Sequence, residues 1–224
     1  MNYKKFIKKC EDSGKFNTEQ MIEIGWGFKN HLTMEQVELY ADPKFNDEQM
    51  NEIRYGFRDG LTIEQVKVYA DPRFDWGQME EIREGFNDGL TIKQIEFYAR
   101  HDEFSGFQMN QIRRGFKNGL TMNQVKVYAK PEFYWRQMEE ICFGFMNGLT
   151  MKQIRIYADT RFSFLQMREI RFGFTNGLTI KQVKVYAQPQ YDRTMMITIR
   201  EFIKQNHIDY MSQNDINFIL QLLK

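Results

Sequence analysis

The side chains that could perform chemistry are glutamates and tyrosines that recur at fixed intervals. In each of six copies a carboxylate, or in one copy an amide, precedes an isoleucine: Glu23, Glu52, Glu81, Gln111, Glu140 and Glu169. A stack of carboxylates could bind cations. Arginines such as Arg54 and Arg83 stand near these positions, and we expect the partly exposed carboxylates to pair with them instead.

The tyrosines recur at the ends of predicted helices: Tyr40, Tyr69, Tyr98, Tyr128, Tyr157 and Tyr186. A row of aromatic rings could stack nucleic-acid bases. Their place beside an alanine favours partial burial instead, with each hydroxyl reaching a loop. Helix capping likewise explains the recurring glutamines better than a base-reading code does, because such a code needs variation from copy to copy.

No catalytic or metal-binding motif accompanies these groups in the sequence. The histidines His31, His101 and His207 are far apart, and no HExxH, CxxC or paired Cys/His spacing predicts a metal site. The sequence contains neither a glycine-rich phosphate loop nor a GxSxG nucleophile motif. It therefore predicts a non-enzymatic protein without a metal or another cofactor.

The elements that position these residues are six copies of one phrase. Each copy opens on a phenylalanine, and a tyrosine opens a degenerate seventh copy: Phe16, Phe45, Phe74, Phe104, Phe133, Phe162 and Tyr191. The spacing is 29 residues, except for a single 30 between Phe74 and Phe104. A fixed period of this length predicts a repeat architecture.

Each copy is predicted to fold as a short αα-hairpin. In the second copy a capping box formed by Asn46 and Gln49 predicts a first helix from Asp47 to Arg58. A second capping box predicts a second helix from about Ile63 to Ala70. Helices this short are marginal alone and must cover one another. The predicted fold is all-α, an α-solenoid of stacked short αα-hairpins.

Three segments follow from this pattern. Residues 1–15 are predicted to form an N-terminal capping helix, and residues 16–190 a six-repeat α-solenoid. Residues 191–224 are predicted to hold the degenerate seventh repeat and a C-terminal capping helix that begins after Ser212.

A glycine lies inside every predicted first helix: Gly27, Gly56, Gly85, Gly115, Gly144 and Gly173. Each costs about 1 kcal/mol of helix stability relative to alanine. We expect a position where only a hydrogen atom fits, at a close crossing between helices of adjacent copies. The alternative is backbone exposed to bind a ligand.

The net charge of +1 hides an asymmetry along the chain. Residues 16–103 hold 9 Lys/Arg against 19 Asp/Glu, whereas residues 104–190 hold 13 against 5. Opposite charges on the two halves permit salt-sensitive head-to-tail self-association. No apolar run approaches the roughly 18 residues of a membrane helix. The sequence shows no signal peptide, and its two cysteines are expected to be reduced thiols, so we predict a cytoplasmic protein without a membrane segment.

Partner binding is expected where the copies differ. Two variable columns, one at the start of the first helix and one two residues past the core isoleucine, contribute the candidate partner-binding residues Trp26, Tyr55, Trp76, Phe107, Trp135, Phe143, Phe164 and Phe172. An exposed aromatic row rimmed by charge is typical of a protein-binding surface. The alternative is that these rings pack against the next repeat.

Two other functions remain open from the sequence. Basic residues with aromatic rings between them are compatible with nucleic-acid binding, for which the candidates are Arg113, Arg114, Lys117, Lys126, Arg136 and Arg155. A charged, solvated face explains the same residues. The concave side of a solenoid could also hold a small ligand or a nucleotide messenger.

The phrase FDxxQMxEIRxGxxxGLxxxxVxxYADPxF, carried best by residues 45–74, resembles a repeat in helical-repeat proteins of unknown function from gut Firmicutes, their phages and mobile elements. The resemblance covers residues 16–190. The chain departs from the common form by a phenylalanine after the helix glycine and by the loss of YADP after Tyr98 and Tyr157. The resemblance supplies no activity and no functional residue. It implies a mobile-element setting, in which small non-enzymatic proteins often inhibit host defence, as anti-CRISPR proteins do.

Overall fold

The computed structural model describes residues 3–206, 208, 214, 215 and 218. Within these residues all regular secondary structure is helical. The chain divides between Lys117 and Asn118 into two compact units, and in each of them neighbouring αα-hairpins pack in sequence. The predicted all-α fold, an α-solenoid of stacked short hairpins, is confirmed.

In the first unit α1 precedes an alternation of long and short helices. Its helices are α1 (Tyr3–Ser13), α2 (Thr18–Lys29), α3 (Met34–Tyr40), α4 (Asp47–Arg58), α5 (Ile63–Lys67), α6 (Trp76–Asn87), α7 (Ile92–Tyr98) and α8 (Gly106–Lys117). The long helices α2, α4, α6 and α8 pack side by side in chain order.

The second unit continues the alternation. Its helices are α9 (Met122–Tyr128), α10 (Trp135–Met146), α11 (Met151–Ile154), α12 (Phe164–Thr175), α13 (Ile180–Tyr186) and α14 (Arg193–Gln205). The long helices α10, α12 and α14 again pack in chain order. The helix α14 is the first helix of the degenerate seventh copy. Most of the capping helix predicted after Ser212 lies outside the described residues.

Capping boxes begin the helices where the sequence predicts them. The Asn46 side chain accepts a hydrogen bond from the Gln49 N–H at 2.8 Å, and the Gln49 side chain accepts one from the Asn46 N–H at 2.9 Å. The helix α4 therefore has its predicted bounds. The helix α5 ends at Lys67, three residues before the predicted Ala70.

The glutamine of each first-helix box also ties its copy to the next one. The Gln49 Nε2 donates to the backbone carbonyl oxygens of Phe74 at 2.6 Å and Pro72 at 3.1 Å. The same bond to the opening aromatic of the following copy recurs from four further glutamines: Gln20, Gln78, Gln137 and Gln166. In these first-helix glutamines capping and stacking thus use the whole amide, which leaves no group to read a base.

The glycine inside the first helix makes room for the tyrosine of its own hairpin. A Cβ atom placed on Gly85 would lie 2.1 Å from the Tyr98 hydroxyl oxygen. The corresponding distances are 1.8–2.0 Å at four further glycines: Gly27, Gly56, Gly144 and Gly173. Close packing was the correct expectation, but the predicted crossing between adjacent copies is wrong, because the contact lies within one copy.

The tyrosines are wholly buried and bond to the first helix. The Tyr98 hydroxyl donates to the backbone carbonyl of Glu81 at 3.0 Å. In an α-helix this carbonyl also accepts from the N–H four residues on, that of Gly85. The hydroxyl consequently lies against the glycine. Burial raises the pKa of Tyr98 far above its usual value, so the hydroxyl remains a donor. The prediction of partial burial with a bond to a loop is wrong.

Candidate interaction surface

The recurring glutamates form buried or partly buried ion pairs between copies. In the first unit Glu23 accepts from Arg54 at 2.7 Å and Glu52 from Arg83 at 2.9 Å. The series continues with Glu81–Arg113 there, and with Glu140–Arg168, Glu140–Arg171, Glu169–Arg193 and Glu169–Arg200 in the second unit. The predicted pairing with arginine is confirmed. Glu23 and Glu81 are partly exposed, as expected, whereas Glu52, Glu140 and Glu169 are buried.

These pairs account for the carboxylates as structural groups. In the described residues no cluster of three or more His, Cys, Asp or Glu side chains could hold a metal ion. Every buried side-chain nitrogen or oxygen there has a hydrogen-bond partner. None of the helices in that part of the chain is both long and apolar enough to cross a membrane.

The eight aromatic residues predicted to bind a partner fall into two groups by exposure. Trp26, Trp76 and Phe107 keep 41%, 49% and 67% of their surface exposed. The other five are half-buried: Tyr55, Trp135, Phe143, Phe164 and Phe172. Five of the rings thus pack partly within the fold, as the alternative interpretation of the sequence expected. The other three present a large apolar surface.

A cation of the chain lies over most of these rings. Distances from a cation to the ring centroid are 4.1–5.6 Å for Trp26, Tyr55, Trp135, Phe143, Phe164 and Phe172. A cation within about 6 Å of a ring centroid is attracted by the ring. Trp76 differs, because no lysine or arginine of the described chain lies over it.

Trp76 and Phe107 border a recess between the first turns of α6 and α8. Its volume is about 610 Å³, and carboxylates of Asp75, Glu80 and Glu81 contribute to its lining. The two helices approach closely here: a Cβ atom on Gly106 would lie 3.0 Å from the Gly77 carbonyl carbon. The one extra residue in the period lies between these two copies.

Trp76 also borders a smaller recess between α4 and α6. This recess has a volume of about 220 Å³ and is lined by Glu23, Asp47, Glu48, Asn51, Glu52 and Trp76. The indole is therefore flanked on both sides by carboxylates. We call Trp76, Phe107 and these two recesses the Trp76 surface.

The carboxylates at the Trp76 surface are incompletely neutralised. Glu81 accepts from Asn110 at 2.9 Å and from Arg113 at 2.7 Å. Glu80 has no hydrogen bond or ion pair with a described residue. Burial raises the pKa of Glu52 and Glu81 despite their arginine partners, and the negative charge of Glu80 adds to the rise in both. The surface thus carries an excess of negative charge.

The candidate nucleic-acid residues are not equally available. Arg113 is only partly exposed and pairs with Glu81 and Asp88, so little of its guanidinium is left to contact phosphate. Lys117 pairs with Asp88, and Arg114 donates to Gln111 at 3.3 Å. In the second unit three candidates are exposed: Lys126, Arg136 and Arg155.

Two residues of the Trp76 surface, Glu48 and Glu80, were not among the sequence-predicted site residues. The sequence offered a way to find them. Glu48 and Glu80 occupy repeat positions at which other copies have an arginine near an aromatic ring. Comparison with protein-family models, with curated proteins and with solved structures finds no match to this chain.

Proposed function

We propose that this protein is a non-enzymatic binding scaffold and that a protein partner docks on the Trp76 surface. One observation carries the proposal. Trp76 and Phe107, on consecutive long helices, are exposed at 49% and 67% and border a recess of about 610 Å³. Exposed apolar patches with a polar rim mark interaction sites, and aromatic residues contribute much of the energy at such interfaces.

The roles of the recurring residues support this proposal. The recurring glutamines, glycines, tyrosines and glutamates are engaged in caps, close packing and buried ion pairs. The residues left to recognise a partner are those that differ between copies. Trp76 and Phe107 belong to that group, and their columns carry Asp47 and Gly77 in other copies.

The other candidate functions have weaker support. A nucleotide messenger carries phosphates, and the carboxylates of Asp75, Glu80 and Glu81 at the larger recess would repel them. Nucleic-acid binding is less well supported because Arg113, one of its candidate residues, is engaged in ion pairs. The resemblance of the repeat supports a narrower form of the proposal, in which the partner is a cytoplasmic host-defence complex and the protein an inhibitor of the anti-CRISPR kind.

The proposal predicts protein capture that depends on the Trp76 surface. Immobilised wild-type protein, the double variant Trp76→Ala/Phe107→Ala and the control Ile92→Ala are each incubated with bacterial lysate, and retained proteins are identified by mass spectrometry. Ile92 on α7 is 47% exposed and lines neither recess. We expect the same partner on the wild type and on Ile92→Ala, and its loss on the double variant.

Circular dichroism checks that all three forms are folded. Equal retention of every captured protein by the three forms, or no reproducible capture by any of them, contradicts the proposed function.

A further inference from the structure

Phe164 shows how this repeat places cations around an aromatic ring. The guanidinium carbon of Arg136 lies 5.0 Å from the Phe164 ring centroid, and that of Arg168 lies 5.9 Å from it. Arg168 is four residues after Phe164 on the same helix, and Arg136 is 28 residues before it, on the preceding long helix. The second unit therefore supplies both cations from its own chain.

Trp76 occupies the same position in the third copy, with the charges around it reversed. The residue 28 positions before it is Glu48, and the residue four positions after it is Glu80. Glu48 lines the smaller recess and Glu80 the larger one, each together with Trp76. Neither carboxylate is hydrogen-bonded or ion-paired to any residue that the structure describes.

The reversed charges leave the indole with three attractions for a cation, its own face and two carboxylates, and with no cation from the described residues. The face of an indole ring attracts a positive charge, and so does each carboxylate. In the described chain the lysines and arginines that cover other rings of the row have no counterpart at Trp76. The described lysines and arginines do not supply a cation here, which favours a cation from a second molecule.

We propose that Trp76, Glu48 and Glu80 bind an arginine side chain of the protein partner. This proposal rests on the proposed function and names the chemistry of its site. Arginine fits better than lysine, because a planar guanidinium stacks on the ring while its five N–H donors reach carboxylates on either side. An apolar residue next to the arginine would contact Phe107 across the larger recess.

The test uses a fluorescein-labelled peptide, Gly-Leu-Arg-Leu-Gly amide, titrated with the full-length protein by fluorescence anisotropy. A second peptide carries citrulline, a neutral residue with nearly the shape of arginine. We expect the arginine peptide to bind about ten-fold more tightly than the citrulline peptide. A lysine peptide should fall between them. Equal affinity for the arginine and citrulline peptides, or no binding of the arginine peptide, overturns the proposal.

Three variants locate the site. Glu48→Gln/Glu80→Gln removes both charges with little change of shape and should weaken the arginine peptide about ten-fold. Glu48→Arg/Glu80→Arg copies the surroundings of Phe164, covers Trp76 from within the chain and should abolish binding. Glu38→Gln, at an exposed position on α3 outside both recesses, should leave binding unchanged. Unaltered binding by either double variant overturns the proposal.

Failure of this proposal differs from failure of the proposed function. If protein capture depends on Trp76 and Phe107 but the arginine peptide binds no better than the citrulline peptide, the proposed arginine recognition is wrong and the proposed docking surface stands. Absence of surface-dependent capture removes the docking function itself. Sedimentation of the protein alone tests a second copy as the occupant: a dimer at low salt that Trp76→Ala abolishes would overturn the assignment to a different protein.

Discussion

Replacing Glu140 with glutamine is expected to lower the free energy of unfolding by about 3–5 kcal/mol. The Glu140 side chain is 1% exposed and accepts hydrogen bonds from Arg168 at 2.8 Å and Arg171 at 2.9 Å. Arg171 is itself nearly buried. Glutamine would leave its guanidinium without a negative charge in a poorly solvated site, and that desolvation accounts for most of the loss. Urea denaturation followed by far-ultraviolet circular dichroism measures it.

The sequence provides a control for this prediction. In other copies the glutamate pairs with the arginine of the following copy. The fourth copy has Gln111 in place of that glutamate and the fifth has Cys142 in place of that arginine, so both charges are absent together. The double variant Glu140→Gln/Arg171→Cys reproduces that neutral combination in the second unit. It should recover at least half of the lost stability. A double variant as unstable as Glu140→Gln alone would show that an unpaired buried arginine is not the cause.

Replacing Gly85 with alanine is expected to lower the free energy of unfolding by about 2–3 kcal/mol. The added methyl group would overlap the Tyr98 hydroxyl, 2.1 Å away, and Tyr98 is wholly buried and cannot swing aside. This result opposes helix propensity, which favours alanine over glycine by about 1 kcal/mol. Gly25→Ala is the control, because a Cβ atom at Gly25 in α2 has no neighbour within 4 Å. That variant should gain stability.

A double-mutant cycle identifies the source of the clash. Tyr98→Phe alone loses the hydroxyl bond to Glu81 and should cost about 1 kcal/mol. In Gly85→Ala/Tyr98→Phe the nearest remaining side-chain atoms lie 3.4 and 3.5 Å from the new Cβ atom. The double variant should therefore be more stable than the sum of the single effects by at least about 1 kcal/mol. Strict additivity would contradict the assigned contact.

Local features of the fold were predictable because they depend on neighbouring residues. The box of Asn46 and Gln49 gives α4 its bounds, since a cap involves only three or four consecutive positions. The fit between glycine and tyrosine was missed, because it joins two helices of one hairpin. A signal existed: in the seventh copy Phe202 replaces the glycine, and no tyrosine follows the predicted cap Ser212, so both are lost together.

The candidate surface was only partly predictable. Trp76 and Phe107 belong to the variable columns, but the sequence does not show which rings an arginine will cover. Coverage of Phe164 depends on side chains from two long helices. Glu48 and Glu80 could have been identified by comparing, for each ring, the residues 28 positions before it and four positions after it. Reading only one variable column at a time does not identify them.

The most direct test of a docking site at Trp76 is the ¹⁹F NMR spectrum of the protein labelled with 5-fluorotryptophan. The chain has three tryptophans, Trp26, Trp76 and Trp135, and single Trp→Phe variants assign their signals. On addition of the Gly-Leu-Arg-Leu-Gly peptide, the Trp76 signal should shift progressively while those of Trp26 and Trp135 stay in place. A shift of either of those two signals with Trp76 unchanged would contradict the assignment of binding to the Trp76 surface.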